Sequence, residues 1–218
     1  MKSFFNPDNF LMKLFANLAD IMFLNAICLI CCLPVVTVGA SLSALHYVTI
    51  KMAKNEEGYI IKDFFKAFKE NFRQSTLLWL IFLAITAVFY LDLRIIKYGG
   101  MELPWAVSMI ICATYLFCCI TFMYAFVLLA RFSNSIKQTL RNAFLMSMLH
   151  IGQTIVMSLI YLIPVVLIPV NYNFIGVYML LGLAGPAYVN GYLWKNIFKK
   201  YEPVEEGLRK PDEMKEAG

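Results

Sequence analysis

The sequence predicts an all-α polytopic membrane protein: a bundle of about six transmembrane helices with two amphipathic cytoplasmic connector helices. Three observations carry that expectation. Asn142 to Trp194 runs 53 residues without an Asp, Glu, Lys or Arg, and 61% of the 218 residues are hydrophobic. A soluble fold needs charge at its outward positions, whereas about 20 apolar residues cross a bilayer as one helix. At about 1.5 Å per residue the charge-free run is far too long for one crossing, and Pro169-Val-Asn-Tyr-Asn-Phe174 folds it into two. The apolar runs are continuous rather than alternating, which excludes a β-barrel.

The first span covers about 14–33 and stops at Leu33-Pro34, with the turn continuing to Gly39. Pro34 lacks an amide donor and Gly39 tolerates a left-handed backbone, so the chain reverses there. A second span, 40–53, is short and carries Ser41, Ser43, His46 and Thr49. A short polar span must be covered by neighbours, which places it inside the bundle. If that segment lies on the surface instead, the count is five. Charge favours six: both termini then lie inside with 17 Lys and Arg against two outside, whereas five crossings give 15 against four.

Next comes the first connector, Tyr59–Arg73. Ile61, Phe64, Phe65, Phe68 and Phe72 recur at helical spacing on one face, and Lys62, Lys66, Lys69 and Arg73 form another. That pattern suits the headgroup boundary, where rings sink and ammonium groups meet anionic lipid; a partner's docking surface is the alternative. Spans three and four follow at 74–91 and 103–130. The second connector places Ile136, Leu140, Phe144 and Met148 on one stripe, with Ser133-Asn134-Ser135 to cap its start. Spans five and six cover 153–168 and 175–194, completing one helical membrane domain over 1–200. The remainder, 201–218, is charged, broken by Pro203, Gly207 and Pro211, and reads as a disordered cytoplasmic tail. Trp79, Trp105 and Trp194 fall near span ends, as interfacial anchors do.

Little in this sequence points to chemistry. The net charge of +5 is small and forms no patch interleaved with base-reading residues, so nucleic acid is not an expected partner. There is no Gly-x-Ser-x-Gly, no His-Glu-x-x-His and no phosphate-binding glycine loop, so neither enzymatic activity nor a cofactor is expected. All six cysteines lie in apolar runs, where thiols behave as small hydrophobes. His46 and His150 stand without metal-ligand spacing. The candidate intramembrane polar site is therefore Asp20, Asn25, His46 and Asn190, since polar groups inside a membrane face the bundle and are the default functional suspects. Gly182-Leu-Ala-Gly185-Pro186 marks a hinge or a close-packing point in the last span.

Several short stretches look familiar together: Phe5-Asn6-Pro7-Asp8-Asn9, then Leu33-Pro34-Val35-Val36-Thr37-Val38-Gly39-Ala40-Ser41, Asn55-Glu56-Glu57-Gly58-Tyr59, and Phe64-Phe65-Lys66-Ala67-Phe68-Lys69. They resemble the YesL-like family of bacterial integral membrane proteins, domain-of-unknown-function family 624. The resemblance implies a setting in carbohydrate uptake or utilisation and brings no catalytic residues with it. The expected protein is thus an accessory or interaction component of the cytoplasmic membrane. Its partners would be the lipid bilayer and another membrane protein such as a sugar transporter or sensor, with a homo-oligomer left open. A small permease-like component with a polar path is the alternative.

Overall fold

A computed structural model describes residues 10–56, 58–98, 104–132, 134–170 and 175–199. The motif Phe5–Asn9, turn residues 171–174 and the expected tail at 201–218 lie outside the described residues. The described chain is helical throughout: α1 Phe10–Cys32, a single 3-10 turn Val35–Thr37, α2 Val38–Ala53, α3 Ile60–Tyr98 and α4 Trp105–Arg131. There follow α5 Ile136–Leu149, α6 Ile151–Val170, α7 Ile175–Leu181 and α8 Ala184–Phe198. Four stretches among the described residues are long and apolar enough to span a membrane: Phe15–Cys32, Val35–Ala53, Ile60–Ile96 and Trp105–Arg131. α5 and α6 make a fifth if the pair, bent by 102°, is one broken span. Over the expected span at 175–194 the chain is helical in two pieces, α7 and α8.

α2 is the centre of the bundle. Eleven of its 16 residues are buried, His46 among them, under α1, α3, α4 and α8. It is antiparallel to α3: Gly39 lies against the Ser75 carbonyl at one end, and Lys51 Nζ pairs with Asp63 Oδ2 at 2.8 Å at the other. A Cβ on Gly39 would collide with that carbonyl and stand 2.7 Å from Trp79 Cβ, so only glycine permits the approach. Trp79 closes the same end by donating Nε1–H to the Val35 carbonyl at 2.7 Å. The α2–α3 turn passes through Asn55 in the left-handed region (φ 57°), which asparagine tolerates better than most residues.

α8 lies parallel to α2. Gly191 lies against Thr49, where a Cβ would be 2.9 Å from the Thr49 carbonyl oxygen, and four residues on Lys195 Nζ caps the Ala53 carbonyl at 3.1 Å. On the far side of the core, α4 buries Phe122 and the run Tyr124–Ala130. Tyr124 meets Trp194 edge-on at 4.6 Å between ring centroids and shares a 2.6 Å hydrogen bond with Thr154.

Two expectations need correction. The first connector is not a separate surface helix but the first half of α3, which runs 39 residues without interruption. No glycine or proline separates its amphipathic and apolar halves, so nothing stops the helix at Arg73. Trp194 is not an interfacial anchor: it is fully buried against Tyr124 and Phe198, while Trp105 is 76% exposed at the start of α4. The second connector forms as expected, with a capping box in which Ser135 accepts from Gln138 N and the Gln138 side chain accepts from Ser135 N.

Candidate functional site

The four polar candidates do not form one site. Asn25, on α1, is fully buried and completes the broken last helix. Pro186 is the third residue of α8; it has no N–H, and its ring excludes the carbonyl of Gly182 from a regular helix, so α7 and α8 separate at Gly182–Leu183. Asn25 fills the gap. Its Oδ1 accepts from Leu183 N and Ala184 N, both at 2.9 Å, and its Nδ2 donates to the Met179 carbonyl at 2.8 Å. In an unbroken helix Leu183 N would donate to Met179 O, so the side-chain amide stands in for that missing link. With every hydrogen-bonding atom engaged on backbone, Asn25 is a structural clamp.

Asp20 sits five residues earlier on α1, about 140° round the helix from Asn25. It is half-buried and has no hydrogen-bond partner among the described residues. His46 and Asn190 lie elsewhere, on the facing sides of α2 and α8, and α6 brings a third polar group to them. Tyr161 meets the His46 ring edge-on, centroids 6.2 Å apart. Asn190 donates Nδ2–H to the Met157 carbonyl, one turn before Tyr161, at 3.3 Å. His46 is 5% exposed and Asn190 fully buried. Four buried polar atoms in this region have no well-formed hydrogen bond among the described residues: His46 Nδ1, Ser158 Oγ, and Asn190 Oδ1 and Tyr161 Oη, whose side chains lie beside each other. Orphaned polar groups inside a folded protein are uncommon and each calls for a cause. Sequence reasoning missed Tyr161 and Ser158; their signal was a polar pair three residues apart in the otherwise apolar stretch of α6 that follows Thr154.

The basic candidates form a second region. Lys62, Lys66, Lys69 and Arg73 fall within an arc of about 60° on α3 at about 100° per residue. All four are exposed, and none makes an ion pair among the described residues. The aromatic face divides in the structure: Phe64 and Ala67 are buried against α1, α2 and α8, whereas Ile61, Phe65 and Phe72 stay exposed beside the basic stripe.

The cysteines are free thiols along α1 and α4, with Cys28 fully buried and its Sγ 3.9 Å from the Ser41 carbonyl. No group of three or more His, Cys, Asp or Glu that could hold a metal ion occurs among the described residues.

Fold and site define a multi-pass helical membrane protein with a sheltered central helix. Residues 16–93 match the model of a family described as a protein of unknown function, DUF624. The matched stretch takes in α1, α2 and most of α3, hence Asp20, Asn25, His46 and the basic stripe, but none of α6 or α8. It is the family number that the sequence motifs resemble; the YesL-like name is compatible with it. No curated protein and no solved structure matches the chain.

Proposed function

We propose that the protein is a non-enzymatic accessory component of the cytoplasmic membrane that binds another membrane protein through the basic face of α3, with both termini cytoplasmic. One observation carries the reading. Ile21, Leu24 and Cys28 of α1 pack in one cluster with Phe64 and Ala67 of α3, so the two helices share a level of the bundle. At that level α1 turns Phe23, 65% exposed, outward, while α3 turns Lys66 outward. Lipid tails suit the first face and reject the second, because a charge in the hydrocarbon core costs a few kcal/mol or more. The basic face therefore needs water or a polar partner. A second copy of the same face would meet it with like charge, which argues against a symmetric homodimer there.

The resemblance supplies the setting, carbohydrate uptake, and so a transporter or sensor as the partner. A polar permeation path is less well supported: Asn25 is fully engaged on backbone, and Asp20 lies away from His46 and Asn190. The test is a photo-crosslinking amino acid at Lys66 in living cells. One membrane-protein adduct is expected, lost in the triple variant Lys62→Glu, Lys66→Glu, Lys69→Glu while the purified variant melts as the parent does. Adducts to lipid alone, or sugar flux into liposomes containing only this protein, would overturn the reading.

A further inference from the structure

The basic stripe of α3 has no acidic partner among the described residues. Of the two carboxylates on residues 60–73, Asp63 is held by Lys51 at 2.8 Å, and Glu70 makes no ion pair among the described residues. Beside the stripe Ile61, Phe65 and Phe72 stay exposed, so the face offers cationic groups with an apolar border. The chain that leaves α8 has the complementary composition. Residues 201–208 carry Glu202, Glu205 and Glu206, no Lys or Arg, and the apolar Val204 and Leu208. This segment lies outside the described residues, but its point of departure does not. Lys195, one turn before Lys199, reaches the Ala53 carbonyl at 3.1 Å. Lys51, two residues before Ala53, reaches Asp63, and Lys62 precedes Asp63 on α3. α8 therefore ends at the end of the bundle where the stripe begins.

We propose that residues 201–208 of the same chain dock on the basic face of α3, with Glu202, Glu205 and Glu206 against Lys62, Lys66 and Lys69. Glu206 is seven residues past Lys199, a reach of up to about 23 Å when extended. That is enough to pass round a helix about 10–12 Å across. The glutamates bring the sign of charge that the face lacks, whereas a second copy of the face would bring its own sign again. The tether supplies the affinity. Exposed ion pairs are individually weak, but an attached segment meets the face at an effective concentration on the order of millimolar. Weak pairs also exchange, so the face stays open to small reagents and to a partner that binds it more tightly. The contact goes beyond the partner reading and does not rest on it, because it forms within one isolated chain.

The test applies a zero-length carbodiimide, which couples carboxylates to the amines they touch, to the purified full-length protein in phosphatidylcholine vesicles with no other protein present. Unlabelled and isotope-labelled chains are mixed, so that mass spectrometry separates links within a chain from links between chains. Links from Glu202, Glu205 or Glu206 to Lys62, Lys66 or Lys69 within one chain are expected. They should fall several-fold between about 0.01 M and 1 M salt, as the screening length drops from roughly 30 Å to 3 Å. Exchanging the charges, with Lys62→Glu, Lys66→Glu, Lys69→Glu and Glu202→Lys, Glu205→Lys, Glu206→Lys together, should give the same links with donor and acceptor reversed. Links confined to Lys195, Lys199 and Lys200, links only between chains, or links indifferent to salt would each overturn the proposal. So would links that vanish when phosphatidylglycerol is mixed into the vesicles, since anionic lipid would then hold the face. The in-cell adduct at Lys66 tests the partner separately, and either result can fail alone.

Discussion

Asn25→Ala is the sharpest test of the packing. The substitution removes three hydrogen bonds of 2.8–2.9 Å between α1 and the α7–α8 break. It leaves Leu183 N–H, Ala184 N–H and the Met179 carbonyl without their partner. Interhelical hydrogen bonds in membrane proteins are worth about 0.6–1.7 kcal/mol each, so the three together contribute roughly 2–5 kcal/mol. For a chain of this length that lowers the melting temperature by roughly 5–15 °C, readable by fluorescence-detected size exclusion after heating in detergent. The origin of the loss can be isolated with Pro186→Ala, which restores an amide donor and removes the ring that excludes the Gly182 carbonyl. In that background α7 and α8 can join, Leu183 N can reach Met179 O directly, and Asn25→Ala should cost markedly less. A single variant within 2 °C of the parent, or equal costs in both backgrounds, would refute the clamp.

Three further outcomes follow from the contacts. Gly39→Ala should destabilise by about 1–3 kcal/mol, since its Cβ would press on backbone at Ser75 that cannot rotate away; a thermal melt in detergent reads it. Trp194→Ala should cost about 3–5 kcal/mol in the same assay, while Trp105→Ala, at an exposed helix start, should leave the melt unchanged. Lys51→Met should destabilise by about 1–3 kcal/mol in the same assay, because it leaves the Asp63 carboxylate, 18% exposed, without its partner, whereas Lys51→Arg should keep most of the stability.

Most of the architecture was legible because it depends on local pattern. The apolar runs marked α1 and α4, and Ser135 announced the start of α5. The polar content of residues 40–53 required cover, and α2 is indeed the most enclosed of the four long apolar stretches. The failures share a cause, which is that sequence pattern reports environment more directly than helix ends. At Arg73 the pattern changes from amphipathic to apolar, and the expectation placed a boundary there, yet the backbone had no reason to stop. Trp194 reads as an anchor from position alone; only its contacts with Tyr124, 70 residues away, show that it is core. Asn25 could be named as a suspect, but its partners lie more than 150 residues on, and nothing local shows that they are backbone atoms at a helix break. The His46–Tyr161–Asn190 grouping needed three helices to be placed before it could be seen.

The length of α3 sharpens the question of depth. At about 1.5 Å per residue its 39 residues reach about 58 Å, nearly twice the roughly 30 Å of a hydrocarbon core. Its uncharged stretch, residues 74–91, accounts for one crossing, leaving Ile60–Arg73 and the α2 turns beside it. Those α2 turns are in turn packed against α1, whose outward face is greasy. One level of the bundle therefore presents a hydrocarbon-like surface on α1 and a basic surface on α3, and labelling can tell them apart. In a cysteine-free background reconstituted without any partner, Lys66→Cys should react with a membrane-impermeant thiol reagent added from one side. Phe23→Cys, at the same level on α1, should stay unreactive until detergent is added. If both positions resist the aqueous reagent, the basic stripe lies in lipid and no partner is needed to cover it. If both react, α1 is not facing hydrocarbon, and the shared level no longer demands two environments.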